Sequence, residues 1–171
     1  MVANIKDKAV IVGVGNTKFS KDSGVSELSL AVQAIKTALD DAGLQPSDVD
    51  GMATFTMDSN DEIEVARALG CGGLNFWGRS HYGGGAATGT LHQATMAIAT
   101  GMAEVVVCFR ALNGRSGHRF SSGVSGEITT ADAIHWGWYM PYGLLTPASW
   151  VAMFTQRWMH NTGVTKDALF E

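Results

Sequence analysis

Short apolar runs alternate along the chain with stretches that repeat at three-and-four spacing. Lys8 to Gly15 (KAVIVGVG) is a continuous apolar run closed by glycines, the pattern of a strand buried on both faces. Leu28, Ala31, Val32, Ile35, Leu39 and Ala42 then share one helical face, with Ser26 at the N-cap position and Gly43 where a left-handed residue ends a helix. After the turn Gln45-Pro46-Ser47-Asp48, Val49 to Met57 is β-prone, and Asp61 to Leu69 predicts a short helix stopped by Gly70. Leu74 to Trp77 predicts a third short strand. The glycines at 83, 84 and 85 open a helix with Leu91, Ala94, Ile98 and Met102 on one face and Gly101 at its end, and Glu104 to Phe109 (EVVVCF) is again an apolar strand. The order βαβαβαβ predicts an α/β fold: a mostly parallel central sheet, right-handed crossovers and helices on both faces.

From Ala111 to Pro147 the periodicity vanishes. Gly114, Gly117, Gly123 and Gly126 are followed by an aromatic cluster of His135, Trp136, Trp138, Tyr139 and Tyr142. Loops of that length are usually functional or interfacial. Helical spacing returns over Pro147 to His160 through Trp150, Val151, Phe154, Trp158 and Met159, and Gly163 ends it. Thr165 then reads as the N-cap of a further helix whose apolar face begins at Ala168, Leu169 and Phe170, while the sequence stops at Glu171. One turn buries no face of its own. The expected organisation is an α/β core over 1–112, a Gly/Ser- and aromatic-rich loop region over 113–147, and a helix over 148–171 leading into a second half of a larger fold.

Composition narrows the functional classes. Twelve Lys and Arg against 16 Asp and Glu leave a formal charge of −4, and no run of three basic residues occurs, which argues against nucleic-acid binding. Hydrophobic residues make up 46% and charged ones only 16%, so the chain folds, and much of its surface is expected to be covered. The two cysteines, Cys71 and Cys108, have neither CxxC nor metal-site spacing. A polar start with no secretory apolar segment, and no stretch approaching a membrane span, predict a cytoplasmic protein.

Few residues carry recognisable chemistry. Gly13-Val14-Gly15 follows a strand, but Lys18 stands at the third glycine position of a dinucleotide fingerprint, so a short turn is the expectation. Ser80-His81-Tyr82-Gly83-Gly84-Gly85-Ala86-Ala87 is the best local signal. With almost no side chains, that helix start offers its N–H groups and positive dipole end to a carbonyl or an anion; close helix packing explains the small residues equally well. His81 as acid or base and Tyr82 as hydrogen-bond donor are set against two partly buried, satisfied side chains, since no orienting carboxylate stands nearby. His92 reads as packing or solvent-facing. Asp132 and His135 have i, i+3 spacing without a third ligand, so no metal site is expected. Cys108 in mid-strand and Cys71 between glycines read as small apolar residues. The tryptophan-rich stretch fits an acyl or sterol pocket, an oligomer interface or ordinary core.

The order of these motifs resembles the amino-terminal half of the thiolase superfamily. The resembling pieces are AVIVGVGNTKF at 9–19, LQPSDVDGMAT at 44–54, GTLHQATMAIATGMAEVVVCFRAL at 89–112 and WMHNTGVTKDAL at 158–169, which together span nearly the whole chain. Counting back from Gly101 along the helix, the position of the thiolase acyl-accepting cysteine falls on Gly84, and a glycine forms no thioester. The pattern is most similar to the lipid-transfer-protein group, close to sterol carrier protein X thiolases but without the cysteine.

That resemblance implies a layered thiolase-like fold acting on acyl-CoA thioesters. It implies the amino-terminal part of a steroid side-chain type retro-aldolase, which cleaves a β-hydroxyacyl-CoA to a ketone and a shorter acyl-CoA without an acyl-enzyme. The Gly84 and Gly85 N–H groups would form part of the oxyanion site, with His81 or Tyr82 as a neighbouring contact and the general acid and base in the second half. No tightly bound cofactor is implied, coenzyme A being part of the substrate. The implied partners are a second copy in a homodimer and an acyl-CoA-binding protein with an OB-fold and zinc ribbon. An acetyl-CoA acyltransferase (thiolase) using Cys71 or Cys108, a lipid-transfer protein, and a non-catalytic subunit of a split complex are the alternatives.

Overall fold

The strand Gly51–Phe55 (β1) is buried at all five positions because it lies in the middle of the sheet, and Thr54, a polar side chain within it, is hydrogen-bonded there. It pairs in parallel with Phe76–Ser80 (β2) on one side and Val106–Phe109 (β3) on the other, Gly51 standing opposite both Phe76 and Val106. The computed structural model describes residues 5–55, 60–80, 86–115 and 137–169. Two compact units divide the chain, Met1–Gly117 and His118–Glu171.

In the first unit, helix α1 (Glu27–Ala42) starts where the Ser26 side chain accepts from the Ser29 amide and stops where Gly43 turns left-handed at φ 69°. The Gly43 amide donates there to the Asp40 and Leu39 carbonyls, so the predicted caps are the observed ones. Its face of Ala31, Ile35 and Leu39 packs with Val49 and Met52 of the β1 segment, Val65, Ala66 and Leu69 of helix α2 (Glu62–Leu69), and Phe109 and Ala111. Met52, Val49 and Val65 are fully buried, each contributing about 1.5–3 kcal/mol of apolar transfer. Helix α3 (Ala86–Ala99) packs on all three strands.

Asp50 ties the strands together where they begin. Its carboxylate accepts from the Glu104 amide at 3.0 Å, the Val105 amide at 2.9 Å and Asn75 Nδ2 at 3.3 Å. Its carbonyl accepts from the Asn75 and Phe76 amides at 2.7 and 3.2 Å, which sets the start of β2 at Phe76 rather than at the expected Leu74.

The first predicted strand is not one. Residues 9–15 are irregular and unladdered, and the side chains expected to be buried face outward, Val10 78% and Val14 71% exposed. A strand needs a hydrogen-bonded neighbour, and among the described residues this run finds only the Asp41 carboxylate, which accepts the Val14 amide at 2.9 Å. Gly13 and Gly15 do not make a turn either. They lie directly on α1, where a Cβ at Gly13 would strike the Ala38 carbonyl and one at Gly15 the Ala34 carbonyl and the Ala38 amide.

In the second unit, helix α4 (Pro147–Thr162) begins at Thr146, whose hydroxyl accepts the Ser149 amide, and ends at Gly163. Trp150 packs against Tyr139 with ring centroids 5.1 Å apart and planes tilted by 43°, and donates from Nε1 to the Leu144 carbonyl at 3.1 Å. No residue of α4 is buried, and Phe154 is 73% exposed. The helix expected after Thr165 is a single 3-10 turn, Asp167–Leu169.

Candidate functional site

In parallel α/β sheets, ligands bind beyond the carboxyl ends of the strands. Here those ends are Phe55, Ser80 and Phe109. They are held together by Thr54, whose buried hydroxyl donates to the Phe109 carbonyl at 3.1 Å, and by Arg110, whose guanidinium sits 4.1 Å from the Phe55 ring centroid. Beside them Arg79 of β2 reaches Asp61 at 3.2 Å and Glu62 at 3.4 Å and donates to the Asn60 carbonyl at 3.3 Å, anchoring the start of α2.

Ser80 closes β2 and α3 resumes the chain at Ala86. The Ser80 hydroxyl is buried and has no hydrogen-bond partner among the described residues, and Gly89 faces it from α3, where a Cβ would stand 3.0 Å from the oxygen. The glycine lets helix and strand approach at that point. His81, Tyr82, Gly84 and Gly85, together with Asp132 and His135, lie outside the described residues. His92 is exposed, in keeping with a solvent-facing position. Among the described residues no group of three His, Cys, Asp or Glu side chains is placed to hold a metal ion.

Neither cysteine has the surroundings of a nucleophile. Burial pushes both thiols above their ordinary pKa; at Cys108 this outweighs a side-chain hydrogen bond with Thr90, and at Cys71 a backbone hydrogen bond. Both stay protonated near neutral pH. No helix among the described residues is long and apolar enough to cross a membrane.

A second feature was not visible in the sequence. A cleft of about 340 Å³ opens between the loop of residues 15–23 and the segment 110–115 that leaves β3. Lys18, Lys21, Arg110 and Arg115 all line it, and no carboxylate does among the described residues. Its two walls are pinned through Asn113: Ser23 Oγ donates to Asn113 Oδ1 at 3.2 Å, and Asn113 Nδ2 donates to the Val25 carbonyl at 3.1 Å. The Asn113 amide also donates to Glu27 at 3.0 Å. The four cations come from chain segments about ninety residues apart, so only the fold collects them.

No family model matches this chain. It is 56% identical over 161 residues to a steroid side-chain-cleaving aldolase of Thermomonospora curvata, an alignment covering 93% of this chain and 41% of that protein. It is 53% identical over 163 residues to the 17-hydroxy-3-oxo-4-pregnene-20-carboxyl-CoA lyase of Mycobacterium tuberculosis, covering 94% and 42%. Among solved structures it is similar to the Ltp2-ChsH2(DUF35) aldolase, with 56% identity and a TM-score of 0.69 over 91% of this chain and 38% of that one. The chain thus spans about two fifths of the length of the curated relatives it matches.

Proposed function

We propose that this chain is the amino-terminal part of a cysteine-independent retro-aldolase that cleaves a steroid side-chain type β-hydroxyacyl-CoA to a ketone and a shorter acyl-CoA. The observation that carries this reading is the 56% identity, over 93% of the chain, to a steroid side-chain-cleaving aldolase. The raised pKa of both thiols supports it, because acyl transfer through an acyl-enzyme needs a thiolate.

In the reaction a base removes the β-hydroxyl proton and the oxygen's electron pair forms the ketone carbonyl. The Cα–Cβ bond breaks, its pair passes into the thioester as an enolate, and a proton then returns to Cα. The slow point is the negative charge on the thioester oxygen, which preorganised N–H donors stabilise. Gly84 and Gly85, in the link between the carboxyl end of β2 and the start of α3, are the proposed donors, with His81 or Tyr82 as a neighbouring contact. Glycine at 84 leaves room for the thioester where a thiolase carries its cysteine.

The same reading includes a thiolase-like layered architecture over 1–112 and no tightly bound cofactor beyond the coenzyme A of the substrate. It also includes a homodimer and an OB-fold and zinc-ribbon partner; the similar solved aldolase, in which Ltp2 is paired with ChsH2, supports a second polypeptide. A cytoplasmic location suits two unbridged thiols. The test is cleavage by the full-length protein in deuterium oxide. The shorter acyl-CoA should gain one deuterium at Cα, and release of both products without that label would exclude the enolate route.

A further inference from the structure

We infer that the cleft lined by Lys18, Lys21, Arg110 and Arg115 binds phosphate groups, specifically the diphosphate of a coenzyme A thioester; the choice of coenzyme A rests on the function proposed above. Four cations line one concavity, with no carboxylate among the described residues of its lining. A cleft of one sign concentrates field lines and draws in anions. Asp22 and Glu27 accept the Gly24 and Asn113 amides, each at 3.0 Å, and neither lines the cleft.

The walls are built rather than incidental. Asn113 cross-links them by side chain and backbone, and Gly15, at the head of the lysine-bearing loop, is seated on the backbone of α1. Arg110 is held over the Phe55 ring, so its guanidinium is pre-positioned, and lysine and arginine are the side chains that grip phosphate oxygens most strongly. A volume of about 340 Å³ lies at the small end of ligand pockets, about 300–1,000 Å³, which suits a diphosphate and not a whole acyl-CoA. Arg110 directly follows β3, so the cleft opens at the carboxyl end of that strand. A diphosphate anchored there fixes one end of the substrate while its thioester extends toward the link between β2 and α3.

The test compares a β-hydroxyacyl-CoA with the same acyl group on pantetheine, which lacks the phosphates, using the full-length protein and its Lys18→Glu/Lys21→Glu variant. The ratio of kcat/KM for the CoA thioester to kcat/KM for the pantetheine thioester should fall about tenfold or more, as expected for lost charged hydrogen bonds. Lys18→Gln/Lys21→Gln should give a smaller fall in the same ratio. An unchanged ratio in both variants overturns the inference while leaving the lyase reading intact. If the parent protein cleaves neither substrate, the lyase reading fails instead. Calorimetric titration with inorganic pyrophosphate then decides the cleft: weaker binding by the Glu variant supports it, and equal binding by parent and variant overturns it.

Discussion

The Cys108 thiol donates to the Thr90 carbonyl oxygen at 3.6 Å, tying β3 to α3. This contact and the burial around it leave a neutral, packed thiol where a thiolase-type reaction would need an exposed thiolate. Cys71→Ala/Cys108→Ala in the full-length protein should therefore retain cleavage to within about threefold, the cost being packing alone. Steady-state kinetics checks this, and a loss of about a hundredfold or more would restore a covalent route. A stability effect follows as well. Because the folded pKa lies above the ordinary 9.0, the folded chain holds protons that the unfolded chain releases as pH rises past 9.0. Stability should be unaffected by these thiols below that point and decline above it. Melting curves of the double variant across that range should show a shallower decline.

Asp50 and Val105 bond reciprocally: the Asp50 carboxylate accepts the Val105 amide at 2.9 Å and the Asp50 amide donates to the Val105 carbonyl at 3.2 Å. Asp50→Ala removes the acceptor for the Glu104 and Val105 amides and for Asn75, and should cost about 1–3 kcal/mol in urea unfolding. Asp50→Asn keeps one acceptor oxygen and should fall between. Equal midpoints for parent and Ala variant would show that the strand starts are held by other means.

Gly15 rests on α1 with no space for a methyl group. Gly15→Ala must push the chain off the helix, with a cost of about 1–3 kcal/mol. The displaced loop carries Lys18 and Lys21, so pyrophosphate binding should weaken alongside the melting temperature. Ser20→Ala on the same loop gives the comparison: it loses one exposed hydrogen bond, to the Asp22 carbonyl at 2.7 Å, without pushing the chain off α1, and should cost less than about 1 kcal/mol.

At Gly84 the proposed role is approach of the thioester oxygen to backbone donors. Gly84→Val in the full-length protein should lower kcat by about a hundredfold or more, the scale of losing one oxyanion donor. Circular dichroism should remain that of the parent. A kcat within twofold of the parent would remove Gly84 from the site.

What the sequence made legible was local. Ser26 and Gly43 announce the ends of α1 because capping is decided within a few residues, and the β-prone run of β1 and the apolar run of β3 announce strands. The run at 9–15 misled for a non-local reason. Apolar content predicts burial, but a strand exists only beside a partner, and the close packing of Gly13 and Gly15 on α1 has no signature in a single sequence. β2 was shifted because Arg79, a polar residue within it, breaks the apolar pattern while its charge is met by Asp61 and Glu62. The basic cleft was invisible because the overall charge is negative and its four cations are brought together only by the fold.

The central claim is carbon–carbon cleavage without an acyl-enzyme. Its most direct test is a single turnover of the full-length protein with a β-hydroxyacyl-CoA labelled in the acyl carbonyl, quenched in acid and resolved by mass spectrometry. The account predicts ketone and shorter acyl-CoA in equal amounts, with no label on the protein. Label retained on Cys71 or Cys108, or an intact substrate, would contradict it.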